Sequence, residues 1–371
     1  RSTLDRSSAA SDVYKTQILA TLMLSACQAP MPHNNQLRLS TNHAPKNSVA
    51  LENAAAKVLT TGLEAPWDMA LGEDGFLWVT ERQGKKITRV NTKTGQKYPV
   101  ITIDEVFVGP QHEGILGLTL SPNFSQDNTL YTAYTYKDGE NEHAKIVRLL
   151  YNPVTKTATV AGTVIDKLPA NNDHNAGRLR LGYDGKLYYT IGDMGHNQGS
   201  NKQKPIQSQQ IPTQQQIIDK DWHLYAGKTL RLNTDGSIPQ DNPTINGIKS
   251  HIFTYGHRNP QGLVFVGDKL FSVEHGPNTD DEINLLQSGG NYGWPMVAGF
   301  VDNQAYEYTN HSENAEPKKE TNWQGKQIDP LKTFYTVNGD YQFKDSTCKD
   351  SAYVCWPTIA PASVTCLLYT S

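Results

Sequence analysis

The chain reads as an all-β protein of propeller type for three reasons. Turn residues precede short alternating strands again and again, in Asp74-Gly75-Phe76-Leu77-Trp78-Val79-Thr80, Asp127-Asn128-Thr129-Leu130-Tyr131-Thr132-Ala133, Asp184-Gly185-Lys186-Leu187-Tyr188-Tyr189-Thr190 and Gly267-Asp268-Lys269-Leu270-Phe271-Ser272-Val273. Leu77, Leu130, Leu187 and Leu270 then lie 53, 57 and 83 residues apart, spacings that suit four-stranded blades, the longest leaving room for an insertion. Helical periodicity is weak throughout. The insertion is assigned to Gly195 to Lys220, which holds too few apolar residues to form core and is expected as a long surface loop between blades. Such a loop either borders a site or is a solvated decoration, and both readings stay open.

The segments follow in order. Arg1 to Gln17 has no hydrophobic periodicity, does not begin with Met and reads as translated cloning-vector sequence, as does Ser363 to Ser371. The natural protein is therefore expected to continue past residue 362. Residues 18–27 contain the apolar run Ile18 to Leu24, too short to span a bilayer as a helix but suited to a signal peptide. Its ending Leu24-Ser25-Ala26-Cys27 resembles a lipobox, with Cys27 as the acylated residue; an ordinary secretory signal with an incidental Cys is the alternative. Residues 28–51, rich in Pro, Asn, Ser and His, read as a disordered tether, and residues 52–362 form the propeller body.

A formal net charge of -3, with Lys and Arg scattered rather than striped, argues against a nucleic-acid partner. The body contains no apolar stretch long enough to span a membrane, so membrane contact is expected only through the lipid. Cys348 and Cys355 stand close together in a chain read as exported, with no second Cys or His pair nearby. A local disulfide is expected rather than a metal site.

Three segments carry the chemistry: Asn172-Asp173-His174-Asn175-Ala176-Gly177-Arg178, Gly256-His257-Arg258-Asn259-Pro260-Gln261-Gly262 and Glu274-His275-Gly276-Pro277-Asn278-Thr279-Asp280-Asp281-Glu282. A His beside an Asp can be held in one tautomer and accept a proton near neutral pH. An Arg keeps its charge and can stabilise a developing negative one. The third segment offers a loop congenial to calcium. This is equipment for oxidising an alcohol.

Read from Leu63-Glu64-Ala65-Pro66-Trp67 through Gly289-Gly290-Asn291-Tyr292-Gly293-Trp294-Pro295 to Cys355-Trp356-Pro357-Thr358, the sequence resembles the soluble quinoprotein glucose dehydrogenases. These are sugar oxidases of the bacterial periplasm that depend on pyrroloquinoline quinone (PQQ) and fold as six-bladed propellers. The similarity covers nearly all of Leu59 to Ala362, and it implies a six-bladed propeller truncated here before the last blade or so. It also implies that His174 is the general base for the sugar's anomeric hydroxyl, oriented by Asp173, which contacts substrate too. Arg258, with Asn259, would lie against the quinone and stabilise charge as hydride arrives. Gly276 and Pro277 resemble the pair whose backbone carbonyls bind a catalytic calcium, a hard cation that accepts neutral oxygens. Glu282, Tyr292, Ala298, Phe300 and Asp302 resemble a second, structural calcium site near a subunit interface, so a homodimer is an expectation. Phe300 replaces the family's Tyr there, although only its backbone oxygen would be used. Tyr353, Trp356 and Thr358 would line the cofactor and sugar pocket, Thr358 through a hydrogen bond to the quinone carboxylates.

Two departures stand out. Where the family has Gln, the alignment places His112, so either Gln111 or His112 is expected to bind the sugar. The family's cofactor-binding Lys and two later Arg residues fall beyond residue 362, and the 371-residue chain itself is expected to be an impaired dehydrogenase. The resemblance implies periplasmic oxidation of an aldose, glucose first, at C1 to the lactone, with electrons leaving to an acceptor that the sequence does not identify. A calcium-dependent lactone hydrolase and a non-catalytic sugar- or protein-binding propeller are the alternatives.

Overall fold

Apolar residues at every second position generate four antiparallel sheets of four strands each. The computed structural model describes residues 57–344 and 356–365, and a compact unit runs from Leu59 to Val364. Cys27, Cys348, Tyr353 and Cys355 lie outside the described residues. The first sheet comprises β1 (Pro66–Leu71), β2 (Phe76–Glu81), β3 (Lys86–Asn91) and β4 (Lys97–Thr102). The second comprises β5 (Ile115–Leu120), β6 (Thr129–Asp138), β7 (Asn141–Asn152) and β8 (Thr157–Pro169). In the third, β9 (Leu179–Leu181), β10 (Leu187–Ile191) and β11 (Lys228–Leu232) are completed by β14 (Ile252–Tyr255), after a small hairpin of β12 (Thr244–Ile245) and β13 (Ile248–Lys249). The fourth holds β15 (Gly262–Val266), β16 (Lys269–Glu274), β17 (Asp281–Leu286) and β18 (Lys332–Phe334). The four turn-and-strand units read from the sequence are the second strands β2, β6, β10 and β16.

The sheets pack face to face as propeller blades. On β6, Leu130, Tyr134 and Tyr136 enter the core shared with Trp78 and Ile87 of the first sheet. Tyr131 and Ala133, with the opposite parity, enter the core shared with Leu187, Tyr189 and Leu230 of the third. On β10, Tyr188 turns the other way and packs with Leu263 and Leu270 of the fourth sheet. The first strands neighbour one another from sheet to sheet, β1 with β5, β5 with β9 and β9 with β15, so they line the axis.

The insertion differs from expectation. It lies within the third sheet, between β10 and β11, rather than between blades. It is also not devoid of core: Ile206 and Ile217 are buried, and a short helix α2 (Gln214–Ile218, following α1 at Phe124–Asp127) is capped by reciprocal Thr213 and Gln216 hydrogen bonds. Its start is anchored beside the site described below.

A buried ionic hub joins the four first strands. Asp68 on β1 accepts from the Leu118 backbone of β5 at 2.9 Å and from Arg180 of β9 at 2.9 Å, and it pairs with Arg178. Arg178 reaches onward to the carbonyls of Gln261 at 2.8 Å and Ala362 at 2.7 Å. The Arg of the Asp173–Arg178 motif thus serves the axis, while the His serves the site. Burial works against the Asp68 charge, but the two guanidinium groups hold its carboxyl below the ordinary 3.8. A depressed carboxyl stabilises the fold above the unfolded value and loses that contribution as pH falls through the folded one. Asp68→Asn strands the buried Arg178 and the partly exposed Arg180 and is expected to cost ~3–5 kcal/mol of stability at pH 7. Denaturant melts at pH 7 and below pH ~3.8 check this; the difference from wild type should shrink at the lower pH.

Candidate active site

In antiparallel four-stranded blades the connections after the second and fourth strands emerge at the same end. The segments after β4, β8, β10, β14 and β16 therefore converge, and they carry His112, His174, Gln198, Arg258 and Gly276. His174 takes a left-handed backbone (φ 47°), which costs a non-glycine residue of order 1 kcal/mol or more. Its N–H is held by Asp173 Oδ1 at 2.8 Å and His112 Nδ1 at 3.0 Å. Gly192 is required behind it, since a Cβ there would collide with the His174 carbonyl.

The carboxylate that orients the imidazole is Asp193, not Asp173. Asp193 Oδ1 lies 2.6 Å from His174 Nδ1, and this buried carboxylate also accepts from Gly195 N at 2.9 Å and, through Oδ2, from Trp294 Nε1 at 2.8 Å. An acceptor on Nδ1 fixes the proton there and leaves Nε2 with its lone pair. Asp173 sits on the other side, 3.7 Å from Nε2, where it receives Gln198 Nε2 at 3.3 Å and lies 3.1 Å from His112 Nδ1. Burial opposes its charge, yet the His112 contact and the nearby imidazoles hold the Asp173 carboxyl well below the usual carboxylate range. It is therefore an ionised acceptor beside the base. Of the two candidates for the Gln position, His112 reaches the site, whereas Gln111 is exposed and its backbone N–H bonds to Glu113.

Gln198, unassigned by sequence reasoning, bridges the two functional groups: its Nε2 lies 3.1 Å from His174 Nε2 and its Oε1 accepts from Arg258 Nη2 at 3.0 Å. Arg258 stacks over Trp294 (5.5 Å from the ring centroid), donates to the His275 carbonyl at 3.3 Å and gives its backbone N–H to Glu274. Glu274 in turn holds the fully buried His257 Nδ1 at 2.8 Å, whose ring lies on Tyr292 at 4.8 Å. His257 is thus a support for Arg258 rather than a second base.

Arg258, Gly276, Pro277, Glu282, Tyr292 and Trp294 line one small cavity. Around it, buried polar atoms lack partners among the described residues: Arg258 Nε, both side-chain polar atoms of Asn259, and His275 Nε2. Native proteins rarely leave such atoms unmatched, so they fit a polar ligand seated there. Burial, with Arg258 alongside, pushes His275 down to about 3 and keeps it neutral. Glu282 is pushed up to about 8 by burial and by Glu274.

Of the five residues expected at a second cation site, Glu282, Tyr292 and Ala298 line the cavity of Gly276 and Pro277, and Glu282 also receives Gly299 N at 2.7 Å. The turn that carries Ala298, Phe300 and Asp302 also wraps Glu320, which accepts from the N–H groups of Ala298 at 2.9 Å, Asp302 at 3.2 Å and Asn303 at 2.8 Å. Glu320 was missed by sequence reasoning because nothing local marks it; burial pushes its carboxyl up. Phe300 stands partly exposed. Among the described residues, three or more His, Cys, Asp or Glu side chains never gather in a metal-ligand cluster, so any cation would rely on backbone carbonyls as well. The Thr358 hydroxyl, expected to meet a cofactor, donates to Asp281, and Trp356 is half-exposed beside Phe343 at 5.5 Å.

A family profile described as Glucose / Sorbosone dehydrogenase matches residues 63–328. The quinoprotein glucose dehydrogenase B of Acinetobacter calcoaceticus is 43% identical over 339 residues, covering 84% of this chain and 71% of that protein. The aldose sugar dehydrogenase YliI of Escherichia coli is 31% identical over 252 residues, covering 66% of this chain and 63% of that one. Among solved structures, the PQQ-bound aldose sugar dehydrogenase of Streptomyces coelicolor superposes with a TM-score of 0.54 at 33% identity, over 66% of each chain.

Proposed function

The chain belongs to the glucose/sorbosone dehydrogenase family, and from that premise we propose that it oxidises an aldose, glucose foremost, at C1 to the lactone with PQQ as electron acceptor. The observation that carries the proposal is the constellation of His174, fixed by Asp193, facing Arg258 across Gln198. His174 Nε2 accepts the proton of the C1 hydroxyl, while Asp193 stabilises the imidazolium through Nδ1. Asp173, His112 and Gln198 offer acceptors and donors around Nε2 that orient the sugar ring. The Gln198 amide already makes the two contacts that a reacting alcohol and an acceptor oxygen would make, so it yields or shares that space when substrate enters. Arg258 supplies fixed positive charge where negative charge accumulates. When bound beside Arg258, the quinone would supply a two-electron acceptor and calcium a Lewis acid that strengthens it.

Arg258, Asn259 and His275 carry the unmatched polar atoms that would hold the quinone, with Trp356 and Tyr353 as its flat neighbours. Gly276 and Pro277 would hold the catalytic calcium. Glu282, Tyr292, Ala298, Phe300 and Asp302, joined by Glu320, would serve the structural one. A six-bladed complete propeller, export with Cys27 as lipid attachment point, a Cys348–Cys355 disulfide and a homodimer belong to the same proposal. Titrating the full-length protein with PQQ in calcium buffer and following the quinone absorbance tests it. Saturable binding that glucose then bleaches is expected; binding without glucose-dependent bleaching contradicts the oxidation.

Calcium also gives a stability prediction. A carboxyl raised from 4.5 to about 8, as in Glu282, prefers its proton in the fold. Stability then falls as pH rises across that window. In chelator, the melting temperature is expected to drop from pH 5 towards pH 8, and calcium should restore it most at the upper end. Scanning calorimetry checks this; a calcium effect independent of pH would remove Glu282 from the cation's surroundings.

A further inference from the structure

Trp294 sits where the two functional groups of the site meet, and neither the chemistry of proton removal nor the cofactor requires an indole there. We infer that Trp294 is a positioning residue that sets the tautomer of His174 through Asp193 and the plane of the Arg258 guanidinium. The inference rests on the oxidation reading above. Three observations carry it.

The indole Nε1 donates to Asp193 Oδ2 at 2.8 Å, while Asp193 Oδ1 faces His174 Nδ1 at 2.6 Å. Gly195 N–H and His174 Nδ1–H share Oδ1, so the indole N–H on Oδ2 is what fixes the rotation of the carboxylate; with it removed, the carboxylate can turn about Oδ1 and lose its alignment with Nδ1. The ring face lies 5.5 Å from the Arg258 guanidinium. Trp294 is itself clamped: its N–H donates to Gly256 O at 3.0 Å, its carbonyl accepts from Gln209 at 2.8 Å, and its ring packs on Tyr306 at 5.5 Å. A rigid strut therefore links the loop after β17 to the carboxylate after β10 and the cation before β15.

The groups around His174 are Asp193 at Nδ1, His112 at the backbone N–H, and Asp173, Gln198 and, through Gln198, Arg258 on the Nε2 side. Of these, only Asp193 touches the indole N–H, so deleting the N–H should act through Asp193 alone. Trp294→Phe keeps an aromatic face for Arg258 and removes the donor. Turnover in the full-length enzyme, read as kcat at saturating PQQ, is expected to fall about tenfold to a hundredfold. In an Asp193→Asn background the same substitution should cost less than about twofold, because the partner it acts through is already lost.

A readout without cofactor or turnover is the long-range 1H–15N spectrum of the His174 ring, assigned with His174→Gln. The wild-type protein should show the Nδ1–H tautomer and Trp294→Phe a mixture. If Trp294→Phe does not fold, 3-benzothienylalanine at position 294, which keeps the fused ring without the N–H, should give the same mixture. Wild-type turnover in Trp294→Phe, an equal loss in both backgrounds, or an unchanged tautomer overturns the inference. Absence of glucose oxidation in the wild type would instead defeat the functional reading and leave the tautomer result standing.

Discussion

Replacing His174 with Ala should lower aldose turnover by roughly a hundred- to ten-thousand-fold, the usual consequence of removing a general base. The loss is expected in kcat. Asp173, His112 and Gln198, the residues proposed to orient the sugar, all remain, and of these Gln198 alone lies within hydrogen-bond distance of Nε2. Quinone binding should persist, because the unmatched polar atoms assigned to it belong to Arg258, Asn259 and His275. Steady-state kinetics of the full-length variant, with PQQ affinity measured in parallel, decides the matter. Near-normal turnover would remove His174 from the role of base.

Asp193→Asn should be nearly as damaging, although Asp193 touches no substrate. Its two oxygens take three donors: His174 Nδ1–H, Gly195 N–H and Trp294 Nε1–H. An asparagine has one acceptor oxygen and presents an NH2 group in place of the other. If the NH2 faces Nδ1, the ring must carry its proton on Nε2, the nitrogen that has to accept one. If it faces Trp294, two donors collide in a buried site. A wrong tautomer with intact geometry costs on the order of 10⁴ in turnover. Turnover within a few-fold of wild type would show that Asp193 does not set the proton's place.

The same residues show what a linear reading can reach. Turn residues followed by a short apolar strand around Leu77, Leu130, Leu187 and Leu270 mark the second strand of every described blade, because a tight turn must precede each of these buried strands. His174 and Arg258 were legible because their local contexts are long. Asp193 was not, since it is 19 residues from His174 and reaches it only when β10 returns beside β9. A weak signal existed: Gly192-Asp193 directly follows a strand and points to the same end as the His174 loop. Arg178, read in one motif with His174, proved to serve the Asp68 hub, because a backbone in the left-handed region at His174 and Ala176 sends neighbouring side chains apart. Spacing alone cannot tell a long connection within a sheet from one between sheets, so the sequence does not show that the insertion lies between β10 and β11.

Single-turnover mixing of the full-length, calcium- and PQQ-loaded protein with glucose carrying hydrogen or deuterium at C1 distinguishes base-assisted hydride transfer from any other route to reduced quinone. The quinone should be reduced only when sugar is present, more slowly with the C1 deuteron and with the lactone formed in equal amount, and His174→Ala should abolish the fast phase. Quinone reduction indifferent to C1 deuterium, or unaltered in His174→Ala, would contradict base-assisted hydride transfer.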